Sequence, residues 1–186
     1  MAKYTKPELR ERLKEEIKAA DKGGRPGQWS ARKSQLLTNE YKKQGGGFEG
    51  PKDARQRSLQ RWGGERWQTR SGGTRARHDG ETERYLPKQA WEELSESDRR
   101  ATDTRKRRAS RSGRQYVSNT GPAKRARRDA TAAARVDELP VAEGVKLVRG
   151  LDKRQLDAAL RRERRGKARR TLIRRLESEL GRRRSA

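Results

Sequence analysis

Residues 151–181 read LDKRQLDAALRRERRGKARRTLIRRLESELG. Leucine recurs every four residues on each side of Gly166, which is the spacing of one apolar stripe along a helix. Asp152 and Gln155 precede the first stripe with the spacing of a capping box. The stretch therefore predicts two amphipathic helices separated by a glycine.

A third helix is predicted just before this stretch. Pro140 suits a helix start, valines follow at positions 141, 145 and 148, and Gly150 ends the pattern. The three helices predict a miniature bundle over residues 136–182, followed by a tail at 183–186. We expect four leucines in its interior: Leu156, Leu160, Leu172 and Leu176.

Residues 1–104 predict a second small module. An apolar stripe with four-residue spacing predicts a helix over residues 3–22, and Ser30 is placed to cap a second helix over about 31–43. The Gly- and Pro-rich residues 23–30 predict a tight turn between these helices. The alternative for this turn is that its exposed backbone N–H groups bind a phosphate.

The later part of this module contains few aliphatic residues. Residues 45–84 predict irregular backbone, and short helices are predicted over 85–94 and 96–109, with Ser95 as a cap. Tryptophan supplies most of the apolar bulk, so we expect the tryptophans to anchor the core, with base stacking as the alternative role. These residues are Trp29, Trp62, Trp67 and Trp91.

Residues 105–135 predict a disordered basic linker. Its first part, 105–128, contains ten basic residues and no acidic residue, and Gly113, Gly121 and Pro122 interrupt regular structure. These cations are expected to contact nucleic acid: Arg105, Lys106, Arg107, Arg108, Arg111, Arg114, Lys124, Arg125, Arg127 and Arg128.

The composition of the whole chain sets the fold class and the kind of partner. The net charge is +25 and the isoelectric point about 11.3, values that call for a polyanionic partner. Leu, Ile, Val and Phe make up only 23 of 186 residues, below the roughly 20% at which highly charged chains become disordered. We therefore expect a mostly α fold, with two small helical modules rather than one globule.

The sequence lacks the residues that several classes of function require. The chain has no cysteine and a single histidine, His78, so we expect no cofactor, metal or catalytic site. No apolar run reaches the roughly 18 residues of a membrane helix, and the first residues lack the apolar stretch of a signal peptide. We expect a protein that is not secreted and contacts no membrane, in the cytoplasm at the nucleoid or in a virion interior.

Five short stretches carry a resemblance to a known family. They read KYTKPEL from residue 3, DKGGRPGQWSARK from 21, SLQRW from 58, tryptophan at 67 and YLPK from 85. This pattern resembles a family of small basic proteins of unassigned function from bacteria and large DNA viruses. It covers about residues 3–105, and the resemblance implies no catalytic residues.

A second resemblance covers the last 45 residues. The residues that carry it are ELP from 138, LD from 151, Leu156, Glu163-Arg164, and KARRTL from 167. This pattern is similar to the SAP and Rho-N-like helical modules. The resemblance implies nucleic-acid binding, since such modules often bind nucleic acid.

The C-terminal module predicts the second part of a nucleic-acid surface. From residue 149 to 186 there are 15 basic and 5 acidic residues, a composition unlike the mixed charges of an ordinary soluble bundle. The residues expected to bind phosphate are Arg161, Arg162, Arg165, Lys167, Arg169, Arg170, Arg174 and Arg175.

These features predict non-enzymatic, largely sequence-independent DNA binding, as in a nucleoid-associated or virion-internal compaction protein. With about 6–10 phosphates bound, affinity would fall roughly 10³- to 10⁵-fold between 50 and 200 mM salt. An RNA- or ribosome-associated protein fits the charge equally well. So does an interaction protein that docks an acidic partner, for example in a capsid, and residues 105–108 with 124–128 would suit a nuclear localisation signal in a eukaryotic host. The oligomeric state is left open.

Overall fold

The computed structural model describes residues 3–51 and 53–184. The described residues form nine helices and six two-residue strands, which confirms the expected mostly α fold. The chain divides into two compact units, residues 1–63 and 64–186. This boundary differs from the predicted modules, because residues 64–104 belong with the C-terminal part of the chain.

The N-terminal unit contains a helical hairpin, a strand pair and a third helix that ends at the unit boundary. The first strand pairs antiparallel with the second, with Tyr4 opposite Phe48. The elements are β1 (Lys3–Tyr4), α1 (Pro7–Ala19), α2 (Ala31–Lys43), β2 (Phe48–Glu49) and α3 (Ala54–Gly64).

The sequence predicted the start of α2 correctly but not the start of α1. Ser30 caps α2 as predicted, because its Oγ accepts a hydrogen bond from the backbone N–H of Lys33 at 3.0 Å. Helix α1 begins at Pro7 rather than residue 3, because the preceding residues pair as β1. The Thr5 hydroxyl does not cap α1, since it accepts from the N–H of Gly47 at 2.7 Å.

Tyr41 ties the two helices of the hairpin to the strand pair. It is fully buried beside Leu13 and Leu37. Its hydroxyl accepts from the N–H of Lys6 and donates to the carbonyl of Gly47, both at 3.0 Å. A Cβ at residue 46 would lie 2.3 Å from the Tyr41 ring, so only glycine allows this approach.

A buried lysine organises the connector between α1 and α2. Lys33 is fully buried, and its ammonium donates to the carbonyls of Lys18, Ala20 and Arg25 at 2.8–2.9 Å. Burial lowers the pKa of this lysine. Because the ammonium of Lys33 binds two carbonyls at the end of α1 and that of Arg25 in the connector, the structure favours a tight turn over phosphate binding at residues 23–30.

The C-terminal unit begins with short antiparallel strand pairs and continues as helices. Strand β3 pairs with β6, and β4 pairs with β5. The elements are β3 (Trp67–Gln68), β4 (Arg77–His78), β5 (Glu81–Thr82), β6 (Leu86–Pro87), α4 (Lys88–Glu92), α5 (Glu96–Arg111), α6 (Gly121–Glu138), α7 (Val141–Val148), α8 (Lys153–Arg165) and α9 (Arg170–Arg182).

The predicted C-terminal helices are present, but they do not form a core alone. The four expected leucines are buried, and the capping box of Asp152 and Gln155 is formed. Ala133 and Val136 of α6 belong to the same core, where α6 packs along α8. The bundle therefore has a fourth helix that begins before residue 136.

The disordered linker predicted at 105–135 is not confirmed, because α5 and α6 cover most of it. Gly121 and Pro122 begin α6 instead of interrupting structure, since proline suits the first helical turn. Buried alanines with three- or four-residue spacing form the inner face of α6, and the basic residues between them obscure this pattern. They are Ala123, Ala126, Ala130, Ala133 and Ala134.

The four tryptophans occupy different environments. Trp91 is buried against the α6 alanines, and its Nε1 donates to the carbonyl of Gln68 at 2.9 Å. Trp67 and Trp62 are partly buried. Trp29 is 39% exposed. Of the four tryptophans, only Trp91 is fully buried in a core.

Residues 45–84 were predicted to have irregular backbone, but they contain α3 and four short strands.

Candidate nucleic-acid interface

Helix α5 is held in place by polar contacts rather than by an apolar stripe. Thr102, Asp103 and Ser110 form its buried face. The Asp103 carboxylate accepts from the N–H of Arg84, and the Ser110 hydroxyl accepts from the N–H of Thr82, both at 2.8 Å. These contacts fix α5 against the strand region although the helix has almost no aliphatic side chains.

The opposite face of α5 forms one wall of an open groove with a volume of about 970 Å³. Residues 100, 104, 105, 108 and 112 recur with helical spacing and lie on this face. The segment after the helix forms the other wall. We call this site the arginine groove, and it is lined by Arg100, Ala101, Thr104, Arg105, Arg108, Ala109, Ser112, Arg114, Tyr116, Val117 and Ser118.

The groove has no acidic lining residue, and its arginines are largely unneutralised. Among residues 3–51 and 53–184, no carboxylate forms an ion pair with Arg105, Arg108 or Arg114, and all three side chains are exposed. Arg100 approaches Glu96 at 3.8 Å near the start of α5. The groove therefore presents a concentrated positive charge to solvent.

The basic residues of α5 form two groups with different contacts. Arg107 and Arg111, on another face, both bind the carboxylate of Glu81, Arg107 at 2.7 Å. Hydrogen bonds from Arg111 and Arg107 lower the pKa of Glu81. These two arginines hold the strand region, whereas Arg105, Arg108 and Arg114 form no ion pair with the described residues.

A buried arginine fixes the second wall of the groove. The guanidinium of Arg84 donates to the carbonyls of Val117 at 2.8 Å and Ser118 at 3.2 Å. Lys106 donates to the carbonyl of Gln115 at 2.5 Å. Burial, together with the nearby charge of Arg105, lowers the pKa of Arg84 to about 10, so it remains a cation at neutral pH.

Tyr116 projects from this fixed wall into solvent. Its side chain is 87% exposed, and Trp29 is the other exposed large hydrophobic residue in the described parts of the chain. Tyr116 was not among the residues predicted to form a site, because its surroundings predicted a disordered linker. The signal that could have found it is a lone aromatic residue within an acid-free basic stretch.

The predicted basic residues of α6 divide into two kinds. Lys124 and Arg125 are exposed. Arg127 lies over the ring of Trp67, 5.4 Å from its centre, and Arg128 binds Asp152 at 2.9 Å. The latter two contribute to contacts within the unit.

Three predicted arginines of α8 line a cleft of mixed charge. Arg161 binds Glu93 at 3.1 Å, Arg162 binds Asp137 at 3.1 Å, and Arg165 binds Glu92 at 2.9 Å. Burial raises the pKa of Glu93 although the hydrogen bond from Arg161 opposes the shift. These cations are therefore partly neutralised by the protein itself.

The remaining predicted residues near α9 also have different roles. Arg169 donates to buried Glu163, Lys167 approaches Asp137 at 3.6 Å, and Arg175 approaches Glu179 at 3.8 Å. Arg170 and Arg174 are exposed and form no ion pair with the described residues. The structure therefore brings only Arg105, Arg108 and Arg114 of the predicted residues together in the arginine groove.

The described parts of the chain contain no group of three or more His, Cys, Asp or Glu residues that could hold a metal ion. The His78 ring lies 2.9 Å from the carbonyl of Arg75. None of the described helices has the length and apolar character needed to cross a membrane.

Comparisons with known proteins found no matching family model, curated protein or solved structure. Function is therefore inferred from the charge and geometry of the groove.

Proposed function

We propose that this protein is a non-enzymatic nucleic-acid-binding protein and that its main ligand is DNA. The arginine groove binds the phosphate backbone. The observation that carries this proposal is the set of exposed arginines in a groove without an acidic lining residue. Arg105, Arg108 and Arg114 form no ion pair with the described residues. Each can therefore bind phosphate without breaking an internal ion pair.

The groove supplies donors suited to phosphate oxygens. A guanidinium can donate to two phosphate oxygens at once, and the hydroxyls of Thr104 and Ser118 provide further hydrogen bonds. Contacts of this kind position a protein on the backbone but do not read sequence. The proposed binding is therefore largely independent of sequence and gains affinity from counterion release.

The charge of the whole chain supports a compaction role in a nucleoid or a virion interior. Exposed cations outside the groove extend the positive surface, and the net charge of +25 favours contact with a long polyanion. These cations are Lys124, Arg125, Arg170 and Arg174.

The test compares charge reversals of equal size at two places in the C-terminal unit. One variant combines Arg105→Glu, Arg108→Glu and Arg114→Glu. Fluorescence anisotropy on a labelled duplex should show at least tenfold weaker binding and a salt slope reduced by up to about one unit for each phosphate that is no longer neutralised. Circular dichroism should show unchanged helix content, because the three side chains are exposed.

The matched control reverses the exposed cations Lys146, Arg149 and Lys153, which lie outside the groove. It changes the net charge equally, so it should reproduce only the general electrostatic part of the effect. Equal weakening by both variants would show that the groove has no special role in binding.

A further inference from the structure

Tyr116 is an exposed aromatic residue in a basic groove. Its ring is 87% exposed, although aromatic rings supply much of the buried apolar surface of folded proteins. It also lies in the arginine groove rather than on a neutral surface. A single exposed aromatic residue is ordinary by itself, so the meaning of Tyr116 depends on its surroundings.

The backbone on both sides of this ring is held by buried or partly buried cations. Arg84 binds the carbonyls of Val117 and Ser118, and Lys106 binds the carbonyl of Gln115. The ring therefore stands on a fixed support and does not depend on a ligand to order its backbone. A support of this kind reduces the entropy cost of binding.

The neighbouring charges define which flat ligand suits the ring. Arg105, Arg108 and Arg114 line the same groove and attract an anion that carries its own planar group. A nucleotide meets this requirement, because its phosphate lies beside an aromatic base. In a duplex the base faces are covered by neighbouring pairs, whereas an unpaired base can stack on an aromatic side chain.

We infer that Tyr116 is a stacking platform for an unpaired base, and that the arginine groove therefore prefers single-stranded to double-stranded nucleic acid. This inference rests on the proposed function of the groove. Stacking on Tyr116 would add a contribution from the bases to the binding of the backbone. This contribution would not depend on sequence, because every base has an aromatic face.

The experiment separates base stacking from phosphate binding with three labelled probes. They are a thymidine oligomer of about 15 nucleotides, an oligomer of the same length with abasic sites throughout, and a blunt duplex of equal length. Tyr116→Ala should weaken binding to the thymidine oligomer about five- to a hundredfold. It should change binding to the abasic oligomer and the duplex less than about twofold, because those probes offer the ring no unpaired base.

Two controls complete the test. Tyr116→Phe keeps the ring and should keep the preference for the thymidine oligomer, whereas Trp29→Ala removes the other exposed aromatic residue and should leave that preference unchanged. Equal weakening on all three probes, or no weakening on any, would overturn the stacking role. Failure of the proposed function has a different signature: the triple Arg→Glu variant would bind every probe as tightly as the wild type.

Discussion

At the scale of the residue, the arginines that were predicted to bind nucleic acid make different contacts in the structure. Arg169 was expected to contact nucleic acid, but its backbone N–H and Nε donate to Glu163 Oε1 at 2.8 Å, and its Nη2 donates to Oε2 at 2.7 Å. Glu163 is buried, and this pair joins the end of α8 to the start of α9. The sequence shows that arginine is abundant, but which arginines are paired depends on the tertiary structure.

This buried pair predicts a specific response to mutation and pH. Hydrogen bonds from Arg169 lower the pKa of Glu163, so its stabilising effect is complete above the ordinary carboxyl pKa and is lost as pH falls through the lowered value. Glu163→Gln should destabilise the C-terminal unit by about 3 kcal/mol at neutral pH, because it leaves a guanidinium without its carboxylate. Urea unfolding from neutral to acid pH would show this destabilisation shrinking as the wild-type glutamate is protonated.

Glu177 provides the control for this prediction. It forms an ion pair with Arg164 at 2.5 Å, but both side chains are substantially exposed. Glu177→Gln should change the free energy of unfolding by less than about 1 kcal/mol. A similar small effect of Glu163→Gln would contradict a stabilising role for the buried pair.

At the scale of the element, local signals and long-range packing contribute separately. Ser30, Ser95 and Asp152 cap their helices as predicted, because a cap depends on residues only three positions apart. Helix α6 was not predicted. Its buried face consists of alanines that bury little area each, and their role appears only once Trp91 and α8 pack against them.

Helix α6 also predicts which fragment folds. Residues 64–186 should give a cooperative thermal transition by circular dichroism, whereas residues 136–186 should lose most of it. The shorter fragment lacks Ala133 and the rest of the α6 face that covers α8, and small helical units have little stability to spare. Equal transition temperatures for the two fragments would show that the last three helices form a sufficient core.

A point variant separates packing from chain length in the longer fragment. Ala130 is buried in the face of α6, and Arg125 is exposed on the same helix. Ala130→Glu should lower the transition temperature of residues 64–186, since a carboxylate would be buried without a partner. Arg125→Glu should leave it nearly unchanged.

At the scale of the whole molecule, composition predicted the class of the fold but not its division. The expected mostly helical fold is confirmed, and the buried apolar residues of the described chain form three separate clusters. The boundary was placed at residue 104 instead of 63, because the charge of residues 105–128 concealed the helices that bind residues 64–104 into the second unit. The candidate site was predicted in the same partial way: three of its arginines were selected, but their shared groove and Tyr116 were not.

The salt dependence of binding tests how much of the total charge acts on nucleic acid. Binding to about 6–10 phosphates would give a slope of about −5 to −9 in log affinity against log salt on duplex DNA. The ion pairs at residues such as Arg161, Arg165 and Arg169 reduce the number of phosphates that can be bound, and the arginine groove offers three arginines without an ion pair to the described residues. Neutralising one phosphate with each of these three predicts a slope of about −2.7 in log affinity against log salt on duplex DNA, or about 40-fold weaker binding at 200 than at 50 mM salt. Anisotropy titrations on two unrelated duplexes should give this slope for both sequences. A slope near −9 would instead mean that cations outside the groove, such as Lys124, Arg125, Arg170 and Arg174, also bind phosphate. A slope near zero would contradict backbone binding altogether.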